Sequence, residues 1–203
     1  MDNIIVIGYS GHSYVVIDAI YSNGGTIKGY CDRGEKSVNP FDLKYLGEES
    51  IELLSDSKWI VCIGDNKLRE KIHIRFNNVN KPITVIHPNS VISSKCSIGH
   101  GVFIAPNATV NPFANIGNGV IINTGAIVEH ECKVEDFVHL APGAVLAGNV
   151  SIGKNTFVGA NSVVKQAVQI GKNVTIGAGS VIVQNIPDNE VVVGNPGKPL
   201  YPN

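Results

Sequence analysis

The chain has 203 residues, 43% of them hydrophobic and only 16% charged, with 16 basic against 17 acidic side chains and a formal charge of -1. That balance offers no basic excess to hold a nucleic-acid backbone, which excludes such a partner. The longest apolar run, Trp59 to Ile63, is far too short to span a bilayer, and Met1-Asp2-Asn3 lacks the positive n-region of a secretory signal. Cys31, Cys62, Cys96 and Cys132 are widely spaced with no CxxC pair. They read as buried thiols of a cytoplasmic protein with no membrane partner, neither a disulfide framework nor a zinc ribbon.

Residues 1–85 alternate apolar runs with helical stretches. Asn3–Gly8 reads as a short strand, and His12–Tyr21 as a helix with Val15, Val16, Ala19 and Ile20 on one face. Thr26–Cys31 is strand-like, residues 33–47 carry the turn formers and charge of a loop, and Glu49–Leu54 suits a short helix. Lys58–Gly64 reads as a buried strand, Asn66–Phe76 as a helix with Leu68, Ile72 and Phe76 spaced by four, and Pro82–Ile86 as a last short strand. Strand–helix alternation of this kind predicts a small parallel Rossmann-like α/β unit.

From residue 86 the period changes to six. Seventeen consecutive hexads, from Ile86 through Val128, Val134 and Leu140 to Ile182, carry an aliphatic residue at the same position. Four residues later stands a small or β-branched one, such as Ala108, Cys132, Ala144 or Ser180. This hexapeptide repeat is the signature of a parallel β-helix, each hexad one short strand and one corner, three hexads to a coil. Residues eighteen apart then stack. Glycine often follows the aliphatic (Gly99, Gly117, Gly153, Gly159, Gly171, Gly177), which suggests corners needing glycine's backbone freedom. The register ends at Asp188, and Val191–Asn203 is expected to cap the last coil. The expected organisation is an α/β unit over 1–85, a β-helix over 86–187 and a capping tail over 188–203.

Within the repeat, His130 lies two residues past the inward Val128 and should point outward, with Gly148 stacked one coil above it and Pro112 one coil below. Glu129 and Glu131 flank it, and either carboxylate could raise the basicity of the imidazole. A histidine with a near-neutral pKa is the side chain suited to taking a proton from an attacking amine. His139 falls just before inward Leu140, where a structural role and a ligand contact are both open. In the first half, Gly8-x-x-Gly11 follows a strand and opens a helix, a place suited to a pyrophosphate, although it is not the full GxGxxG. Asp32 ends the second strand, where an acid often reads a ribose hydroxyl.

The hexads resemble those of left-handed β-helix acyltransferases. Gly194-Asn195-Pro196-Gly197-Lys198 is similar to their closing Gly-x-Pro-Ala-Lys, with Gly in place of Ala. Gly8-Tyr9-Ser10-Gly11-His12, Ile63-Gly64-Asp65-Asn66 and Glu129-His130-Glu131-Cys132 narrow the resemblance to bacterial sugar-nucleotide N-acetyltransferases of the bacillosamine and perosamine type. Sialic acid O-acetyltransferase-like relatives share the pattern. The resemblance implies a homotrimer that transfers acetyl from acetyl-CoA to the 4-amino group of a nucleotide-linked 4-amino-4,6-dideoxy sugar, in glycan or O-antigen biosynthesis. It implies His130 as general base with Glu131 behind it. It also implies acetyl-CoA contacts from His139, Gly148, Gly177 and Lys198, the Gly148 N–H facing the thioester carbonyl. Ser10, Gly11, His12, Asp32, Arg33 and Gly64 match the nucleotide-sugar site. Where relatives carry two adjacent acids this chain has Asp32-Arg33, which leaves uridine, guanosine and thymidine open. Gly177 also reads as a plain corner glycine and Lys198 as a solvated tail lysine.

O-acetylation of a sugar hydroxyl could use the same base. A zinc lyase of the γ-carbonic anhydrase type, on the same kind of prism, would need a histidine spacing that His100, His130 and His139 do not offer, and no metal is expected. A non-catalytic β-helix scaffold is opposed by the intact Glu-His-Glu segment.

Overall fold

The computed structural model describes residues 3–200; Met1, Asp2 and the last three residues of the expected capping tail lie outside them. β1 (Asn3–Ile7), β2 (Thr26–Cys31) and β3 (Lys58–Val61) form a parallel three-stranded sheet in the order β2-β1-β3. Helices α1 (Gly11–Ser22), α2 (Ile51–Ser55) and α3 (Asn66–Arg75) connect and flank it. α2 begins where Ser50 Oγ accepts from the Leu53 amide at 3.3 Å, and α3 where Asp65 Oδ1 accepts from the Leu68 amide at 2.7 Å. Each satisfies an N-terminal donor that has no partner inside the helix.

Strand alternation decides what each face of the sheet covers. Ile4 and Val6 pack with Val16, Ile17 and Ile20 of α1 and with Val85, Phe103 and Ile121 from the second half. Ile5 and Ile7 point the other way, onto Leu54, Trp59, Ile72 and Phe76. The first core is therefore shared between the two parts of the chain.

Seventeen two-residue strands follow, β4 to β20, from Val85–Ile86 to Val181–Ile182 at six-residue intervals. They stack into three parallel sheets whose registers pair residues eighteen apart, as in Val128 with Leu146 and Val134 with Ile152. The result is a left-handed β-helix of about six turns. The hexad aliphatics and their small partners line one continuous core from Val102 to Val192. β4 (Val85–Ile86) pairs with β7 (Phe103–Ile104), and the amides of Val85 and His87 donate to Val102 and Ile104 carbonyls at 2.9 Å. The strand expected to close the N-terminal sheet is thus the first rung of the prism, because Ile86 already holds the hexad register. At the far end β21 (Val191–Val193) extends one sheet beyond β19 (Thr175–Ile176), and β22 (Lys198–Pro199) folds back antiparallel on β21.

The corners differ from the expectation in one respect. Left-handed backbone angles occur at every sixth residue from Gly101 to Gly179, three places after the hexad aliphatic. The glycines directly after the aliphatic lie outside that series. They are small for a different reason. A Cβ on Gly153 would lie 2.6 Å from the Gly171 carbonyl carbon, and one on Gly99 2.8 Å from that of Gly117. The next coil's backbone occupies the space.

Gly153→Ala should therefore cost about 1–3 kcal/mol of stability, since backbone cannot give way as a side-chain end can. Gly34→Ala, in open space with no left-handed φ, should stay within about 0.5 kcal/mol. Guanidinium unfolding of the two variants measures the difference.

Candidate functional site

His130 stands at the corner between β11 (Ile127–Val128) and β12 (Lys133–Val134), with Val128 and Cys132 turned into the core on either side. Its side chain is half exposed, and Nδ1 lies 3.0 Å from Glu131 Oε2. Glu131 occupies the left-handed corner position at φ 62°. Glu129 is engaged elsewhere, its Oε2 accepting from Asn111 Nδ2 at 2.9 Å. The choice between the two flanking acids is thereby made by geometry. With Nδ1–H donating to Glu131, Nε2 carries the lone pair.

Gly148 stacks one coil on. A Cβ there would sit 2.5 Å from His130 Cε1, so the ring occupies the space a side chain would fill. The Gly148 carbonyl accepts from the Ala167 amide at 3.0 Å, whereas its own N–H has no acceptor among the described residues. On the other side of His130, Asn111, Pro112 and Phe113 line an open cleft of about 550 Å³ with Glu129, His130 and Glu131. An imidazole, a carboxylate bonded to it and an amide N–H without an acceptor among the described residues thus meet at one corner.

His139 lies elsewhere. It projects from β13 (His139–Leu140) on the sheet that the N-terminal unit covers, and is 8% exposed. Nδ1 is 3.2 Å from the Gly64 carbonyl, Nε2 is 3.2 Å from Asn123 Nδ2, and the ring edge meets Phe157. That sheet is opposite the His130 corner in the triangular section, so one chain does not bring the two histidines together. His12 lies in the same seam, its ring edge on Phe103 and 6.0 Å from the His139 ring, with Nε2 buried and unpartnered.

Arg69, which the sequence reading missed, fastens the seam. It is fully buried. Its guanidinium donates to the carbonyls of Gly119 (2.7 Å), Ile63 (3.0 Å), Gly64 (3.1 Å) and Phe137 (2.9 Å), and to Asn66 Oδ1 (2.9 Å). Asn66 Nδ2 continues to the Asn155 and Thr156 carbonyls, and Glu70 pairs with Lys154. The Ile63-Gly64-Asp65-Asn66 turn therefore caps α3 through Asp65 and binds the prism through Gly64 and Asn66.

A cleft of about 490 Å³ opens at the carboxyl ends of the three N-terminal strands. Gly8, Tyr9, Ser10, Asp32, Arg33 and Ile63 line it, while Gly11, His12 and Gly64 do not. Arg33, Lys36, Lys71, Arg75, Glu48 and Glu49 also line it, and Arg75 pairs with Glu49 at 3.2 Å. Asp32 accepts the Tyr9 amide at 3.0 Å and the Arg33 amide at 2.8 Å, and pairs with Lys36 at 3.1 Å. Burial opposes its charge, but the Tyr9 amide, Lys36 and the Arg33 amide outweigh that and hold the carboxyl below its usual range. Ser10 donates its amide to Ser13 Oγ at 2.8 Å. At the other end of the molecule Gly177 packs against Val193, and Lys198 is exposed on β22. Among the described residues no three His, Cys, Asp or Glu side chains converge as a metal site; His100 instead meets Lys81 at 3.1 Å. No helix there is long and apolar enough to cross a membrane.

Two buried histidines, His73 and His139, and the half-buried His12 have depressed pKa values. Burial, then the Arg69 charge, lowers His12 and His73 to about 4 and His139 to about 3. In the unfolded chain they take protons near pH 6.5. Between about pH 6.5 and 4 the unfolded state therefore binds protons that the folded state refuses, and stability falls as the pH falls. The loss should reach up to about 4 kcal/mol per pH unit for the three together. Chemical unfolding at pH 7.5, 6 and 5 measures it, and His139→Gln should flatten the slope.

The family model described as PglD N-terminal domain matches residues 3–76, and that described as hexapeptide repeat of succinyl-transferase matches residues 149–184. UDP-N-acetylbacillosamine N-acetyltransferase of Bacillus subtilis is 32% identical over 111 residues, 51% of this chain and 51% of that protein. The match thus spans about half the length of this curated relative. Among solved structures, the acetyltransferase domain of PglB from Neisseria gonorrhoeae, in complex with acetyl coenzyme A, superposes with TM-score 0.91 at 33% identity, covering 98% of each chain. PerB from Caulobacter crescentus, in complex with CoA and GDP-perosamine, superposes with TM-score 0.93 at 32% identity over 99% of this chain and 98% of that one.

Proposed function

We propose that this chain, which belongs to the left-handed β-helix sugar-nucleotide N-acetyltransferases, transfers acetyl from acetyl-CoA to the 4-amino group of a nucleotide-linked 4-amino-4,6-dideoxy sugar. The observation that carries the proposal is the His130–Glu131 pair at an open outer corner, with Nε2 free and the Gly148 N–H unpartnered beside it. Related structures hold acetyl-CoA, or CoA with GDP-perosamine. The reading puts the enzyme in the cytoplasm.

In the proposed reaction the amine nitrogen attacks the thioester carbonyl carbon while His130 Nε2 takes its proton. Glu131 stabilises the imidazolium through Nδ1–H. The Gly148 N–H donates to the tetrahedral oxyanion. As the oxyanion collapses, the C–S bond breaks and the thiolate recovers the proton from the imidazolium. Residues 1–85 are assigned the nucleotide, through the cleft lined by Ser10, Asp32 and Arg33, and residues 86–187 the acetyl-CoA. Gly177 and the tail over 188–203, with Lys198, are assigned to its far end. Gly11, His12 and Gly64 are assigned to the same nucleotide-sugar site, Gly11 from the exposed start of α1 and His12 and Gly64 from the seam beside His139.

The assembly proposed is a homotrimer, for two reasons. His130 and His139 face away from each other within one chain, so they can share a substrate only across an interface. The sheet of β5, β8, β11, β14, β17 and β20 also presents Val91, Thr109, Ile127, Val145, Val163 and Val181 outward. The neighbouring sheet presents Ser97, Asn115, Lys133, Ser151 and Gln169. An apolar face beside a polar one on the same prism suits burial against another copy.

Mass-shift assays with UDP-, GDP- and dTDP-linked 4-amino-4,6-dideoxy sugars test the activity, with thiol release read in parallel. His130→Ala should lower turnover at least about a hundredfold at neutral pH with acetyl-CoA binding kept, and higher pH should restore part of it. Glu131→Ala should lose less and shift the pH–rate profile. Near-normal turnover of folded His130→Ala would put the base elsewhere.

Light scattering checks the assembly. The wild type should have the mass of three chains. Val163→Asp should be folded by circular dichroism, smaller in mass and inactive, because a buried unpaired carboxylate is costly at an interface.

A further inference from the structure

The left-handed corner positions form a series in which most residues match the backbone and a few do not. From Gly101 to Gly179 fourteen positions repeat every six residues, and ten are Gly or Asn, which adopt this conformation readily. The exceptions are Phe113, Glu131, Phe137 and Ala167. Phe137 has an evident compensation: it is 6% exposed, with its ring 5.1 Å from that of His73. Glu131 is compensated by its bond to His130. Phe113 has φ 65°, is 67% exposed, and has no aromatic partner among the described residues. A bulky side chain held in a costly conformation, with its ring in solvent, marks a place where the ring is needed by something outside the chain.

Its location says what. Phe113 stacks directly beneath Glu131, eighteen residues before it, one strand spacing of about 4.8 Å away. It lines the cleft below His130. The free Gly148 amide, which the proposed reaction gives to the acetyl donor, lies on the opposite side of the imidazole. The Phe113 side is left for the acceptor. In a 4-amino-4,6-dideoxy sugar the C5 methyl is on the carbon next to the reacting C4. An amine poised at Nε2 therefore carries its methyl within about one strand spacing of the base.

We infer that Phe113 is a specificity-determining residue: its ring forms the apolar wall on which the acceptor's C5 methyl and ring C–H groups pack, and it selects 6-deoxy sugars over their 6-hydroxy counterparts. This rests on the function proposed above. The ring offers no hydrogen bond to a 6-hydroxyl, which would lose its water on entering, whereas a methyl gains by burial. A wall of this kind gives moderate selection, about 10- to 100-fold.

The test compares kcat/KM for a nucleotide-linked 4-amino-4,6-dideoxy sugar with that for the 4-amino-4-deoxy sugar retaining its 6-hydroxyl. Wild type, Phe113→Asn and Phe113→Tyr are measured with the same nucleotide. Asn suits the left-handed corner, so Phe113→Asn should melt no lower than wild type, keep its assembly by light scattering and leave KM for acetyl-CoA unchanged. Its preference for the 6-deoxy acceptor should collapse at least about tenfold, through loss on the deoxy substrate. Phe113→Tyr keeps the ring face and should retain the preference. If the wild type acetylates the deoxy sugar and Phe113→Asn keeps the wild-type ratio, the inference is wrong and the proposed function stands. If Phe113→Asn loses its assembly, the ring is a subunit contact and the inference is equally wrong. A folded wild type that acetylates no amino sugar sinks the proposed function, and this inference with it.

Discussion

One buried guanidinium holds the two parts of this molecule in register. Arg69 donates to the turn at Ile63 and Gly64 and to the corner carbonyls of Gly119 and Phe137. Burial drives its pKa down to about 9, so the site bears a real desolvation cost. No carboxylate pairs with it among the described residues. Main-chain dipoles and the Asn66 amide take that place, which is tolerable only because every donor finds an acceptor. The seam is therefore specified in angle and translation as well as being apolar.

That constraint reaches the chemistry in two directions. Ile63 lines the N-terminal cleft, while the Gly64 carbonyl beside it is shared by Arg69 and His139. The two bonds to His139, one at each ring nitrogen, fix its orientation, and burial keeps it a neutral imidazole against the pull of the Gly64 carbonyl. Burial first and the Arg69 cation second depress His12 and His139, so the seam loses stability as the pH falls toward the point where these rings take protons. Acid sensitivity and a rigid seam have the same origin.

The His130 corner follows another rule. A β-helix corner repeats one backbone conformation at each turn, and most sequence positions there are chosen to make it easy. Where the chain departs from that choice next to His130, the departures supply a carboxylate and an aromatic ring. Local strain is accepted where a side chain gains a specific position. The prism offsets it through a core of stacked aliphatics that runs the whole length of the repeat.

Much of this was legible in the residue order. Each hexad folds against its nearest neighbours, so a single period predicts every inward position, from Ile104 to Ile182, and turns His130 outward between Val128 and Cys132. The α/β alternation of the first half was equally readable from its apolar spacing, with element ends shifted by a few residues. Other features depend on which distant groups meet. Nothing local distinguishes Arg69 from a surface helix arginine; its acceptors come from residues 63 to 137. The choice of Glu131 over Glu129 needed Asn111, one coil away. Glycine after the aliphatic was read as a corner device, whereas the stacked coil leaves it no room. Asp32 was read as facing a ligand, yet it also ties down the Tyr9 loop. A repeat carries its own short-range instructions, but the joint between two unlike units is written in contacts across dozens of residues, and only the docked tertiary structure decides those.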